Sequence, residues 1–323
     1  MILNNNNQQL KRSFEASTIL VIGDVILDKY LNLSKEKKLE LDSPVAKFLN
    51  EVSMLGGAAN VAINISNLGG KVKLFGVIGD DEEAKAIRKV LKEKKINHHL
   101  IVEETRKTTL KSRIIVENKQ IIRLDHEDTS KIQAKSELRL INLLRENLEN
   151  VDGIIISDYC KGVVTSKIIK EITRLSASKN IKVFVDSKNQ NLSKFKNCWL
   201  IKINRIEAET IVNFKLNSIS SIKKATFIIG KQFDCHAIIT LDKDGFSYLD
   251  GEKVIRHSIT SKKFYIKSTI GAGDAFIAGI SLAVASGLAL NESILIGYKC
   301  SLSSIKQPYT VSAFRKDILN AFN

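Results

Sequence analysis

Cysteine is scarce and scattered. Cys160, Cys198, Cys235 and Cys300 stand singly, without the paired spacing of a zinc site or redox motif, so buried free thiols in a reducing compartment are expected. Long apolar runs are missing as well. The longest, within 279–290, is broken by Ser and Gly and falls short of the roughly 18 to 20 residues that a membrane-spanning helix needs. Residues 1–9 are polar, rich in Asn and Gln, and lack the apolar centre of a signal peptide. Residues 1–12 are therefore expected to be a disordered leader, 13–323 the folded domain, and the cytoplasm its location. No solenoid repeat is present.

Charge is unbalanced. Fifty Lys and Arg against 35 acids give a net charge of +15, which raises the question of nucleic acid. The lysines come in small groups, such as Lys35, Lys37, Lys38 and Lys92, Lys94, Lys95, without interleaved aromatics. That pattern reads as a solvated surface, with no nucleic-acid partner, and its field favours anionic small substrates. At 44% hydrophobic and 26% charged, the composition is that of an ordinary globular protein long enough to bury a substantial core.

What is present converges on Ser268-Thr269-Ile270-Gly271-Ala272-Gly273-Asp274, followed at once by an apolar run over 275–284. Two glycines and an acid opening onto a helix present unpaired N–H groups and the positive end of the helix dipole. An anion hole at Gly271, Ala272 and Gly273 with Asp274 beside it suits phosphoryl transfer: the carboxylate takes a hydroxyl proton while the amides stabilise the moving group. Taken alone, the same residues are more often a turn and a cap. An independent companion lies far upstream, in Gly56-Gly57-Ala58-Ala59-Asn60.

Between the two segments the chain alternates. Residues 18–23 read as a buried strand ending at Asp24, and ligands of open α/β sheets bind at such carboxyl ends. Asp24 and Asp28 are thus candidates to hold a substrate's hydroxyls, or simply to cap the next turn. The charged stretch 31–52 is irregular. A helix over 56–68 has a glycine entrance, where Gly56 and Gly57 admit substrate and Asn60 offers a donor and an acceptor. A strand over 71–78 and an amphipathic helix over 81–95 follow. From 99 to 125 the period changes to two, with a hairpin turn at Asn118-Lys119. Lys111, Arg113 and Arg123 fall on these strands, either solvated or holding a substrate phosphate. A helix over 130–150 precedes strands at 153–158, 181–186, 199–204 and 236–241, each polar at its carboxyl end, as with Lys161, Asp186 and Lys188. Such alternation means a parallel sheet with right-handed crossovers.

The Gly-Gly-x-x-Asn segment at 56–60 and the Gly-Ala-Gly-Asp segment at 271–274 together resemble the two signatures of the PfkB, or ribokinase-like, family of sugar and nucleoside kinases. The resemblance implies an α/β, ribokinase-like three-layer sandwich with a mostly parallel central sheet and a small β-sheet lid, its segments near 31–52 and 99–125. It implies ATP and Mg²⁺, with any monovalent-cation site in doubt. Asp274 matches the family's base, and Asn204-Arg205-Ile206-Glu207 its Asn-x-x-Glu. That motif organises the nucleotide phosphates and Mg²⁺, Glu207 acting through water. By themselves, Asn204 and Glu207 would be a helix cap and a first-turn acid. Lys161, Asp186 and Lys188 are further nucleotide-side candidates, and exposed lid strands point to a homodimer.

Within the family, residues 23–30, 122–125 and 157–162 look most like the kinases of D-glycero-β-D-manno-heptose 7-phosphate, which phosphorylate the anomeric hydroxyl for lipopolysaccharide precursors. Lys111, Arg113 and Arg123 would then face the 7-phosphate. In some relatives a nucleotidyltransferase domain with a His-x-Gly-His motif is fused to the kinase, and these 323 residues hold no such motif. Ser268-Thr269-Ile270 and Gln307-Pro308 depart from the family pattern. They leave open a kinase for another sugar or a nucleoside, or a catalytically impaired sugar-phosphate-binding protein.

Overall fold

The computed structural model describes residues 2–40, 43–188, 192–258 and 266–319. Residue 1 of the expected leader, 41–42 of the expected lid, and 189–191, 259–265 and 320–323 of the expected domain lie outside them. In chain order the elements are α1 (Ile2–Ala16), β1 (Thr18–Gly23), β2 (Val25–Glu40), β3 (Ser43–Gly57), α2 (Ala58–Leu68), β4 (Lys71–Ile78), α3 (Glu82–Glu93), β5 (Asn97–Val102), β6 (Thr109–Val116) and β7 (Lys119–His126). There follow α4 (Ala134–Glu146), β8 (Gly153–Asp158), α5 (Ser166–Lys179), β9 (Lys182–Ser187), β10 (Leu200–Asn204), α6 (Arg205–Val212), α7 (Ile219–Phe233), β11 (His236–Thr240), β12 (Phe246–Asp250), β13 (Lys253–His257), α8 (Ala272–Ala285), α9 (Leu290–Ser304) and α10 (Arg315–Leu319).

Nine strands form one sheet in the order β13-β12-β11-β10-β9-β8-β1-β4-β5. The seven from β11 to β5 in that order are parallel, and β12 and β13 close the edge as an antiparallel hairpin. Strands buried on both faces read as near-continuous apolar runs, and the sheet divides those runs between two cores. Ile19, Val21, Leu74 and Ile155 pack toward α2, α8 and α9, while Leu20, Ile22, Phe75 and Ile156 pack toward α4, α5 and α7. At about 1.5–3 kcal/mol for each fully buried large apolar side chain, the two cores fix the α/β/α layering. No helix among the described residues is long and apolar enough to cross a membrane.

The lid is a separate four-stranded sheet in the order β3-β2-β6-β7. Three expectations change here. The stretch 31–52 is not irregular: it forms most of the β2–β3 hairpin, which absorbs its irregularity as register shifts at Asn32/Leu33 and between Lys35 and Leu39. Residues 97–102 leave the expected lid for the central sheet, because β5 finds a parallel partner in β4 and buries Leu100 and Ile101. The β6–β7 turn is Glu117-Asn118, both with positive φ, one residue earlier than expected.

The expected leader is also corrected. Helix α1 covers Ile2–Ala16 and docks through buried Phe14, with Arg315 Nη1 3.0 Å from Glu15 Oε1 and Arg315 Nη2 donating to the Lys11 carbonyl at 3.1 Å. Phe14, Leu10 packed against the same core and the two Arg315 contacts anchor it together.

Candidate active site

The carboxyl ends of β1, β8, β9 and β10 meet the start of α8. Gly271 opens that helix with φ +83°, a conformation open to glycine at little cost, and a Cβ there would lie 2.8 Å from Asn60 Nδ2. Asp274 follows in the first turn, 3% exposed. Its Oδ2 accepts from Asn60 Nδ2 at 2.7 Å and its Oδ1 from the Tyr159 hydroxyl at 2.7 Å. Burial pushes its carboxyl up to about 6, the nearby Asp186 charge adds to that, and the two hydrogen bonds and Lys202 oppose it.

Beneath the same turn lies an ion pair. Lys202 Nζ donates to Asp186 Oδ2 at 2.6 Å, with the side chains 2% and 1% exposed, and a Cβ on Gly273 would stand 2.8 Å from that ammonium. The Asp186 carboxyl lies below its usual range: burial alone would raise it, but Lys188 and Lys202 outweigh burial. Among the described residues Asp186 Oδ1 has no hydrogen-bond partner, Lys188 Nζ standing 3.6 Å away. Of the expected anion-hole amides, that of Ala272 is taken by the Thr269 carbonyl at 3.3 Å. Those of Gly271 and Gly273, and the Asp274 amide beside them, have no backbone acceptor among the described residues.

Asn60 is fixed from behind. Asn64 Nδ2 donates to its carbonyl at 2.9 Å and its Oδ1 at 3.2 Å, while Asn64 Oδ1 accepts from the Ala313 amide at 2.8 Å. Gly57, with φ +57°, turns β3 into α2, and a Cβ there would meet the Asp24 carbonyl at 2.3 Å.

The other expected residues sort into groups. Asp24 is spent on structure: its carboxylate accepts from the amides of Tyr159 (2.7 Å), Lys161 (3.0 Å) and Val163 (3.2 Å), and burial pushes it up to about 6. Asp28 joins the lid to the core, accepting from Arg113 Nη2 and Thr310 Oγ1, each at 3.1 Å, with Gly56 packed against it. Burial raises its carboxyl, against the Arg113 charge. Lys111 bonds Asp125 and Glu127, Lys161 bonds Glu127 at 2.6 Å, and Arg123 makes a bidentate contact with Asp125. The three expected phosphate cations thus already have carboxylate partners.

Asn204 and Glu207 form a capping box for α6, and Lys188 donates to Glu207 Oε1 at 2.9 Å. Both Glu207 oxygens are engaged, and no group of three or more His, Cys, Asp or Glu stands ready for a metal among the described residues. The residues do not fit direct Mg²⁺ coordination at Glu207. Arg205 turns away to the Leu216 carbonyl and Asp244, and Ile206 is 74% exposed.

Sequence reasoning missed Tyr159, Lys202 and Thr310. Lys202 did carry a signal, as the lone charge inside the apolar run 199–203, which in a buried parallel strand requires a partner. Thr310 carried none and Tyr159 only its place in the resemblance at 157–162, since each acts across more than a hundred residues of chain. A cleft of about 650 Å³ lined by Cys198, Trp199, Cys235 and His236 lies at the opposite, amino-end edge of the sheet, away from these groups.

A mostly parallel sheet with a small mixed lid, β2 and β6 running parallel and its outer pairs antiparallel, and an acid in the first turn of a helix at the carboxyl ends match an α/β kinase of the sugar-phosphorylating type. The model of the pfkB family carbohydrate kinases matches residues 16–317, and the chain belongs to that family. It is accordingly a phosphotransferase with an alcohol group as acceptor. Among curated relatives, the Bifunctional protein HldE of Helicobacter acinonychis (strain Sheeba) is 37% identical over 279 residues, 85% of this chain and 60% of the relative. That of Aliarcobacter butzleri (strain RM4018) is 34% identical over 279 residues, 85% and 58% respectively. The chain therefore spans about three fifths of the length of the curated relatives it matches. Among solved structures, Escherichia coli phosphofructokinase-2 in complex with substrates and products superposes with a TM-score of 0.80 at 19% identity, covering 95% of this chain and 98% of that one. A putative ribokinase from Agrobacterium tumefaciens gives 0.75 at 16%, covering 95% and 97%.

Proposed function

We propose that this chain uses ATP to phosphorylate the anomeric hydroxyl of D-glycero-β-D-manno-heptose 7-phosphate, giving the 1,7-bisphosphate. The observation that carries the reading is Asp274, a buried carboxylate in the first turn of α8 beside Gly273 and Lys202. With its carboxyl near 6 it is mostly ionised at neutral pH yet still basic enough to take a proton. The acceptor hydroxyl gives its proton to Asp274 as its oxygen bonds to the γ-phosphorus and the bond to the ADP oxygen breaks. The Gly273 and Asp274 amides of α8 and the Lys202 ammonium meet the charge on the transferring group.

Support for the heptose comes from the relatives named HldE and from the resemblance at 23–30, 122–125 and 157–162. Asp28, Arg113 and Thr310 offer sugar hydroxyls acceptors and donors where lid meets core. Mg²⁺ prefers phosphate oxygens and retained waters, so it would arrive on the nucleotide rather than in a protein cage. The proposed place of action is the cytoplasm. A second copy is proposed to cover the lid, where Phe48, Leu49, Ile121, Ile122 and Leu124 are exposed.

The test is ADP release measured with heptose 7-phosphate, fructose phosphates, ribose and adenosine side by side. The heptose phosphate should give the highest kcat/KM. Preference for adenosine would make the chain a nucleoside kinase, and sugar-phosphate binding without ADP release would make it a sensor.

A further inference from the structure

Resting on that reading, we propose that Tyr159 is a positioning residue that aims and tunes Asp274, and that Asp24 acts on the same carboxylate through it. Both oxygens of Asp274 are held. Oδ2 is held by Asn60, itself locked on α2 by Asn64. Oδ1 is held by Tyr159, which comes from the loop after β8. That loop has little regular structure of its own, passing through positive φ at Cys160 and Gly162. Asp24 is its main amide anchor: the amides of Tyr159, Lys161 and Val163 converge on that one buried carboxylate at the end of β1, while the Cys160 amide goes to Asp158 and the carbonyls of Lys161 and Gly162 accept from Arg106 and the Ile132 amide. A chain of two links therefore runs from Asp24 through the Tyr159 backbone and phenol to Asp274.

The phenol cannot itself be the base, because burial and the acids Asp274, Asp186 and Asp28 hold its proton on far above the usual range. It can only donate. A hydrogen bond to the ionised form favours that form, so the phenol lowers the proton affinity of Asp274 while fixing the direction of its free lone pairs. The other charged groups facing Asp274 are Asp186, which raises its carboxyl, and Lys202, which lowers it, while Lys188 also feels its charge. Asp24 is absent from that set. Its influence on Asp274 goes through the loop. This gives the acid expected to hold sugar hydroxyls a different task, for which burial and three amide bonds suit it and which leaves it no free oxygen.

The experiment is the pH profile of kcat/KM on the full chain. In Tyr159→Phe the acid limb should move up by roughly one pH unit. Rates above the limb should recover to within a few fold, a rescue that misfolding would not give. Asp24→Asn should move the limb the same way by less, and the double variant no further than Tyr159→Phe alone, since two residues in series do not add. A depressed rate at every pH with an unmoved limb would overturn the proposal. The titration of Asp274 is also readable without turnover, from carbon chemical shifts of aspartate-labelled protein assigned with Asp274→Asn. An absence of turnover with every acceptor therefore strikes the kinase reading, whereas an unmoved Asp274 titration in Tyr159→Phe strikes this one.

Discussion

Lys202 Nζ and Asp186 Oδ2 meet at 2.6 Å directly under the first turn of α8, with neither side chain more than 2% exposed. A bare ammonium at the positive end of a helix would be repelled, so Asp186 is what allows the lysine to stand there. Removing Lys202 leaves the buried Asp186 carboxylate with only Lys188, 3.6 Å away, as a counter-charge. Lys202→Met should cost about 3–5 kcal/mol in urea unfolding, and Lys202→Met with Asp186→Leu should recover much of it. Phosphoryl transfer should stay low in both, because the charge beside Gly273 is gone in each.

Gly271→Ala should damage the site more than the fold. The added Cβ would press on Asn60 Nδ2 at 2.8 Å from a backbone at φ +83°. Asn60 would shift off Asp274, and kcat/KM should fall by about 10²-fold, with roughly 1–3 kcal/mol lost in thermal unfolding.

The Asp274 carboxyl has two opposite consequences for pH. As a base it must be ionised, so kcat/KM should fall about tenfold per pH unit below about 6. As a folded-state group its pKa is raised above the unfolded value of 3.8, so it opposes folding at pH 7, and that penalty fades as pH falls from about 6 toward 4. Asp274→Asn should therefore raise stability at pH 7 by on the order of 3 kcal/mol, and the gain should vanish near pH 4. Urea midpoints of both proteins at several pH values measure this.

Arg113 and Arg123 should behave differently although both are lid arginines. Arg113 pairs with buried Asp28, so Arg113→Met should both destabilise the protein, by about 3 kcal/mol, and raise the sugar-phosphate KM. Arg123 is 48% exposed against Asp125, and Arg123→Ala should change stability by less than about 1 kcal/mol. Chemical denaturation and initial-rate kinetics separate the two effects.

The strands at 71–78 and 153–158 were legible to the residue, because a parallel sheet buried on both faces writes its limits as apolar runs. The lid was harder to read. Its β2 and β3 are charged and carry register shifts, so neither period two nor a continuous apolar run marks them. Helix α1 was invisible for a similar reason, since it docks through Phe14, a half-buried Leu10 and contacts to Arg315 some three hundred positions away. In the site, Asp274, Gly271 and Asn60 lie in the two short motifs that resemble the family signatures, and the resemblance rather than spacing alone singled them out. The roles of Asp24, Tyr159 and Thr310 depend on contacts across 135, 115 and 282 positions, which no local pattern records. Asn204 and Glu207 were read both ways, and the capping box is the arrangement the structure contains.

The most direct measurement is ADP release from Asp274→Asn beside the unaltered chain, with ATP and heptose 7-phosphate at saturation. The Asn side chain keeps the shape and the neighbours of the carboxylate but cannot accept the proton. Turnover should fall by about 10²- to 10⁴-fold while both ligands still bind. Turnover retained within tenfold would contradict Asp274 as the base, and with it the mechanism argued from this site.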